Sequence, residues 1–133
     1  MASKKNISLL FLLITAGITS CVKDPALKSS GDYLKVSNVV LAVTNKSGAR
    51  GAIAIASNVA WQLSFENPAP NWMVTNKMAG ISNDSLVVTA TKDNNTGGYK
   101  FANIIATAVN NTSLLPVRIT VIQYDSSYIG SRK

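Results

Sequence analysis

Few side chains in this sequence could do chemistry. Glu66, Asp84 and Asp93 are the acids in its body, Cys21 is the single thiol, and histidine is absent. Without histidine, neither a Ser-His-Asp nor a Cys-His nucleophile system can be assembled. Zinc is disfavoured because its usual ligands are cysteine and histidine. Glycoside hydrolysis needs two carboxyl groups about 5 to 10 Å apart, whereas each of the three acids sits in its own polar or turn context. Asp93-Asn94-Asn95-Thr96-Gly97-Gly98 has some look of a calcium loop, but a helix-loop-helix site needs glycine at its sixth position and glutamate at its twelfth. Gly97 is the fifth and Ile104 the twelfth, so the stretch reads as a turn, where Asn and Gly tolerate positive φ. The expectation is a protein that is not an enzyme and uses no metal or other cofactor.

The lone cysteine has a distinctive setting. Lys4 and Lys5 precede an apolar run from Ile7 to Ile18, followed by the small residues Thr19 and Ser20. Spanning a bilayer takes about 20 residues, so this run fits the hydrophobic region of a cleaved secretory leader better. Ile18-Thr19-Ser20-Cys21 resembles a lipobox, the signature of bacterial lipoproteins, with Ile18 where leucine is commoner. That resemblance implies cleavage after Ser20 and a diacylglycerol on Cys21, which also explains an unpaired cysteine in an exported chain. The chain is then anchored to the membrane by lipid, not spanning it. Lys23 and Asp24 resemble the charged signal that sends lipoproteins of Bacteroidetes-type bacteria to the outer face of the outer membrane. Cell-surface display is the expected localisation, with the periplasmic face as the alternative. The organisation expected is a leader over 1–20, a lipidated cysteine and tether over 21–31, a folded domain over 32–125 and a polar tail over 126–133.

Charge gives little help in naming a partner. The formal net charge is +7; Lys4 and Lys5 would leave with the leader, taking two of those charges. The remaining lysines and arginines form no run, which argues against nucleic acid.

From Tyr33 onward the apolar residues alternate. Trp61, Leu63 and Phe65 share one face while Gln62, Ser64 and Glu66 take the other, and the same holds for Ile53 with Ile55, for Leu86, Val88 and Ala90, for Ala102, Ile104, Ala106 and Ala108, and for Val117, Ile119 and Val121. A two-residue period is that of a half-buried strand. Polar clusters at 45–48, 57–58, 67–71, 77–84, 94–98 and 110–113 separate the runs as turns. About seven short strands in a domain of this size predict an all-β, immunoglobulin-like antiparallel β-sandwich, with a small barrel as the alternative. No disulfide is available, so Trp61, Phe65, the Ile and Val rows and Trp72 are expected to make the core.

The order Leu34-Lys35-Val36, Ala56-Ser57-Asn58-Val59-Ala60-Trp61, Asn71-Trp72-Met73-Val74, Leu86 to Ala90, Ala102 to Ala106 and Arg118 to Gln123 resembles a BACON domain, the Bacteroidetes-associated carbohydrate-binding often N-terminal domain. The resemblance runs from about Asp32 to Tyr124. It implies a sandwich that binds carbohydrate or mucin glycans, or one that serves as a spacer or docks onto other proteins of an outer-membrane complex. Such domains are often attached to glycan-degrading enzymes; Asp125 to Lys133 is too short to be one, so delivery of an enzyme by this chain is not expected.

Sugar sites commonly combine an aromatic face with amides that bond hydroxyls. The candidate aromatics are Trp72, Tyr99 and Tyr124, and the candidate amides are Asn71, Asn94 and Asn95. Trp72 has a competing place between the sheets; Tyr99, next to a Gly-Gly turn, is the better platform. Asp84-Ser85-Leu86 resembles the short pattern for O-glycosylation in Bacteroidetes-type bacteria, marking Ser85, with a plain turn as the alternative.

Overall fold

A computed structural model describes residues 31–127; the leader, Cys21, the tether up to Ser30 and all but the first two residues of the tail lie outside the described residues. Nine strands are present among them: β1 (Leu34–Val36), β2 (Val40–Val43), β3 (Arg50–Ser57), β4 (Trp61–Phe65), β5 (Met73–Thr75), β6 (Ala79–Gly80), β7 (Asp84–Ala90), β8 (Lys100–Ala108) and β9 (Val117–Gln123). They form two sheets, ordered β1-β3-β7-β5 and β2-β9-β8-β4-β6. The protein is an immunoglobulin-like β-sandwich.

The period-two pattern decides which side chains enter the space between the sheets. Ile53 and Ile55 of β3, Leu86 and Val88 of β7, Ile104 and Ala106 of β8, and Ile119 and Val121 of β9 are all essentially without solvent contact, and they surround Trp61. Trp72 and Met73 close the core where the chain enters β5. Trp61 also carries a polar edge, and its Nε1 donates to the carbonyl of Ser82 at 2.8 Å, as a buried indole requires.

Three features differ from the expected layout. The first strand is split: β1 pairs antiparallel with β3, the chain crosses at Ser37–Val39, and β2 then pairs parallel with β9. Ser37 makes the crossing by donating its N–H to the Ala54 carbonyl and accepting the Ala54 N–H on its hydroxyl, at 2.9 and 3.1 Å. Second, the cluster at 77–84 is not only a turn, because Ala79–Gly80 pairs with Gln62 and Trp61. Glycine is required there: a β-carbon at Gly80 would run into the six-membered ring of Trp61. Third, a further short strand, β5, begins at Met73 directly after Trp72 and pairs with the end of β7.

The loops divide between two ends. At one, Tyr33 N–H donates to Asn58 Oδ1, Asn111 Nδ2 donates to Asp32, and Val109 N–H donates to Ala60 O. The chain enters at this end, at Gly31. At the other, Gly48 N–H donates to Ala90 O, Thr91 N–H to Trp72 O and Asn94 N–H to Asn45 O.

That second end also holds Asp125, an acid whose role the sequence does not show. Its carboxylate is buried and accepts N–H groups of Ser127 and Gly97, both at 2.8 Å, and the Ser127 hydroxyl at 2.7 Å. Those donors, led by the Ser127 amide, hold its pKa down from 3.8 to about 2. A depressed carboxylate stabilises the fold fully above its unfolded pKa and loses that contribution as pH falls. Stability is therefore expected to decline between about pH 4 and pH 2. Urea unfolding across this range should show the decline in the wild type and a shallower one in Asp125→Asn.

Candidate binding face

β8 is longer than its neighbour. β4 pairs with it only from Ile104 to Ala108, so Lys100–Asn103 has β9 on one side and no strand on the other. Glu66 N–H donates to Asn103 O at 3.0 Å and Val109 N–H to Ala60 O at 2.8 Å. These two bonds fix the alternation, turning the peptide groups of odd-numbered β8 residues toward β4. Phe101 is one of them, and β4 ends before reaching it.

The space left beside Phe101 is bordered by the loop that follows β4. A cavity of about 130 Å³ opens there, lined by Phe65, Asn67, Pro68, Pro70, Phe101, Ala102 and Asn103. No charged side chain lines it. Since Ala102 turns toward the core, Phe101 must turn outward with Tyr99. Phe101 and Tyr99 are 57% and 61% exposed, with ring centroids 6.2 Å apart and planes inclined at 44°. They form an aromatic ledge running out from the cleft.

A chain of hydrogen bonds holds the cleft's amide. Thr120 Oγ1 donates to Asn103 Oδ1 at 2.8 Å, Asn103 Nδ2 donates to Glu66 Oε2 at 2.7 Å, and the Arg118 guanidinium donates to Glu66 Oε1. The Asn103 amide first, and Arg118 after it, hold the Glu66 pKa below its ordinary value. Glu66 is thus a paired anion fixing Asn103, not an acid kept protonated to give up a proton.

The residues expected from sequence to bind carbohydrate gather at this same end but are not equivalent. Tyr99 is exposed as expected. Asn71 and Asn95 are exposed in the loops, and Tyr124 is half-buried, its backbone N–H donating to Val43 O. Trp72, at 6% exposure, belongs to the core and cannot serve as a platform. Asn94 is corrected likewise: it is fully buried, its Nδ2 donates to the carbonyls of Gln123 and Gly98 at 2.9 and 3.1 Å, and its Oδ1 accepts the Thr96 hydroxyl at 2.8 Å. An amide so engaged cannot reach a ligand. Ser85 lies exposed near the start of β7, its N–H bonded to the Asp84 carboxylate.

Sequence reasoning missed Phe101, Asn103, Asn67 and the two prolines. Phe101 had a signal, because the alternation that buries Ala102 and Ile104 turns it outward. Asn67 and the prolines had none, since nothing local places their loop beside β8. Among the described residues no group of three or more His, Cys, Asp or Glu side chains is placed to hold a metal. No helix among them is long and apolar enough to cross a membrane.

No family model matches the sequence, and no curated protein matches it. The fold is shared with solved structures. A GH5 xyloglucanase of Bacteroides ovatus, in complex with a XXXG heptasaccharide, superposes with a TM-score of 0.57 at 20% identity, over 70% of this chain and 19% of that one. The CsuC-CsuE chaperone and tip-adhesion subunit complex of Acinetobacter baumannii gives 0.54 at 8% identity, over 71% of this chain and 57% of that one. The PapD-like domain 7 of human CEP192 gives 0.50 at 11%, over 80% and 94%. This chain thus spans about a fifth of the xyloglucanase chain and somewhat over half of the chaperone-complex chain. At these identities the likeness is one of fold.

Proposed function

We propose that this protein is a non-catalytic lipoprotein of the bacterial outer membrane, BACON-like, that binds carbohydrate on the ledge formed by Tyr99 and Phe101. The observation carrying this reading is the pair of exposed rings beside an uncharged cleft with Asn67 and Asn103 in its wall. Apolar faces of pyranose rings stack on such surfaces, and amides bond the hydroxyls at their edges. The ledge lies at the end opposite Gly31, where the chain enters the sandwich.

A single site of this kind should be weak, near the millimolar range or about −4 kcal/mol, because a polar ligand exchanges water hydrogen bonds for protein ones. Display at high density on a membrane raises the effective affinity. The test is a screen of glycans and mucin against the protein displayed multivalently on beads. Retention of several neutral glycans supports the reading. Failure to retain any carbohydrate moves it to a docking role, for which a specific feature exists: β2 is a sheet edge, and Val40 at its start and Val39 just before it are 53% and 56% exposed.

The anchor has its own test. In cells fed a labelled fatty acid, the wild type is expected to take up label and Cys21→Ser to take up none; equal labelling would remove the lipoprotein assignment.

A further inference from the structure

We infer that the cleft grips an internal stretch of a linear, uncharged polysaccharide, engaging at least two consecutive sugar units, and is not a pocket for a chain end or a single sugar. The inference rests on the carbohydrate reading above. Size is the first argument. Sites that enclose a small ligand run to about 300 to 1,000 Å³, and the cleft holds about 130 Å³. It can take one edge of a sugar ring but cannot surround one. A ligand must therefore lie mostly outside the cleft and draw its remaining contacts from the surface around it.

The ledge is that surface. With centroids 6.2 Å apart, the two rings offer separate stacking faces side by side, suited to successive units of one chain. Their 44° inclination fits a chain that twists from unit to unit better than a flat ribbon.

Charge sets the class of chain. The cleft lining is neutral, and the carboxylate bonded to its Asn103, that of Glu66, is already paired with Arg118. Lys100 alternates to the other side of β8 from Phe101, and its ammonium is bonded to the Asp93 carbonyl at 3.2 Å. A uronic-acid chain would lose water from its carboxylates and find no cation in the cleft.

Polar groups at the site are fixed beforehand. Thr120 and Glu66 hold the Asn103 amide by its oxygen and one of its two N–H groups, leaving the second N–H as a donor. The backbone of Phe101 faces the same space, past the end of β4. Glu66 and Thr120 are positioning residues, and Asn103 is the group that would touch the sugar.

The experiment uses the full chain purified in detergent. It is titrated with β-1,4-linked gluco-, xylo- and manno-oligosaccharides of one to six units, with polygalacturonate as the charged control. For at least one neutral series, affinity is expected to rise ten-fold or more from one unit to four and then level off. Reducing the terminal aldehyde should leave tetrasaccharide binding unchanged. Phe101→Ala should lower tetrasaccharide affinity at least ten-fold with the circular dichroism spectrum unaltered, since the ring is exposed. A monosaccharide that competes as well as the tetrasaccharide, or a polyuronate that binds more tightly than every neutral series, overturns the inference and leaves carbohydrate binding standing. Absence of binding to any of these probes and to any glycan of the screen removes both.

Discussion

Trp61→Ala is expected to cost about 3 to 5 kcal/mol, the range for truncating a large aromatic in a core. Ordinary domains have about 5 to 15 kcal/mol in all, so the variant should be marginal or unfolded at room temperature. Trp61 is fully buried at the centre of the cluster that both sheets share. It lies over Gly80 and bonds the Ser82 carbonyl, so truncation opens a cavity and removes a hydrogen bond together. Trp61→Phe separates the two losses by keeping much of the ring and losing the donor; it should fall between wild type and alanine. Urea denaturation measures both. A loss below about 1 kcal/mol for the alanine variant would mean that the core is not organised around this side chain.

Asn94→Ala should cost about 2 to 3 kcal/mol, a large effect for a residue in a turn. Its amide satisfies the carbonyls of Gln123 and Gly98 and the hydroxyl of Thr96, and a buried group deprived of its partner costs about 1 to 3 kcal/mol. Asn94→Asp is the sharper variant. It keeps the shape but offers no donor when ionised, and it sets a negative charge against two carbonyl oxygens. It should be at least as destabilised at neutral pH and recover part of the loss on acidification, as the new carboxyl protonates. The same denaturation assay decides. Wild-type stability in both variants would mean that this amide points to solvent after all.

These two residues show what could and could not be read in the sequence. Trp61 was legible because one face of each strand is buried, so Trp61, Leu63 and Phe65 had to point the same way; the same rule gave β3, β7, β8 and β9. Asn94 was not. Asp93 to Gly98 has the composition of an exposed turn, and its amide is committed to a backbone carbonyl 29 residues further on, a contact no local pattern carries. β6 escaped for a related reason, because two residues leave no period and their pairing depends on the Trp61 ring occupying the space above Gly80. Tyr99 was found from the turn beside it. Phe101, its partner on the ledge, was readable from the alternation but draws notice only when the end of β4 leaves its flank open.

The ledge of Tyr99 and Phe101 is proposed to receive carbohydrate. The most direct test is to follow the backbone amide resonances of the labelled protein while titrating the tightest-binding glycan from the screen. The predicted result is a saturable set of shifts confined to Asn67, Tyr99, Phe101, Asn103 and their neighbours, absent in Phe101→Ala. Shifts centred instead on β2, or on the loops around Asn58 and Asn111 at the other end of the sandwich, would contradict it.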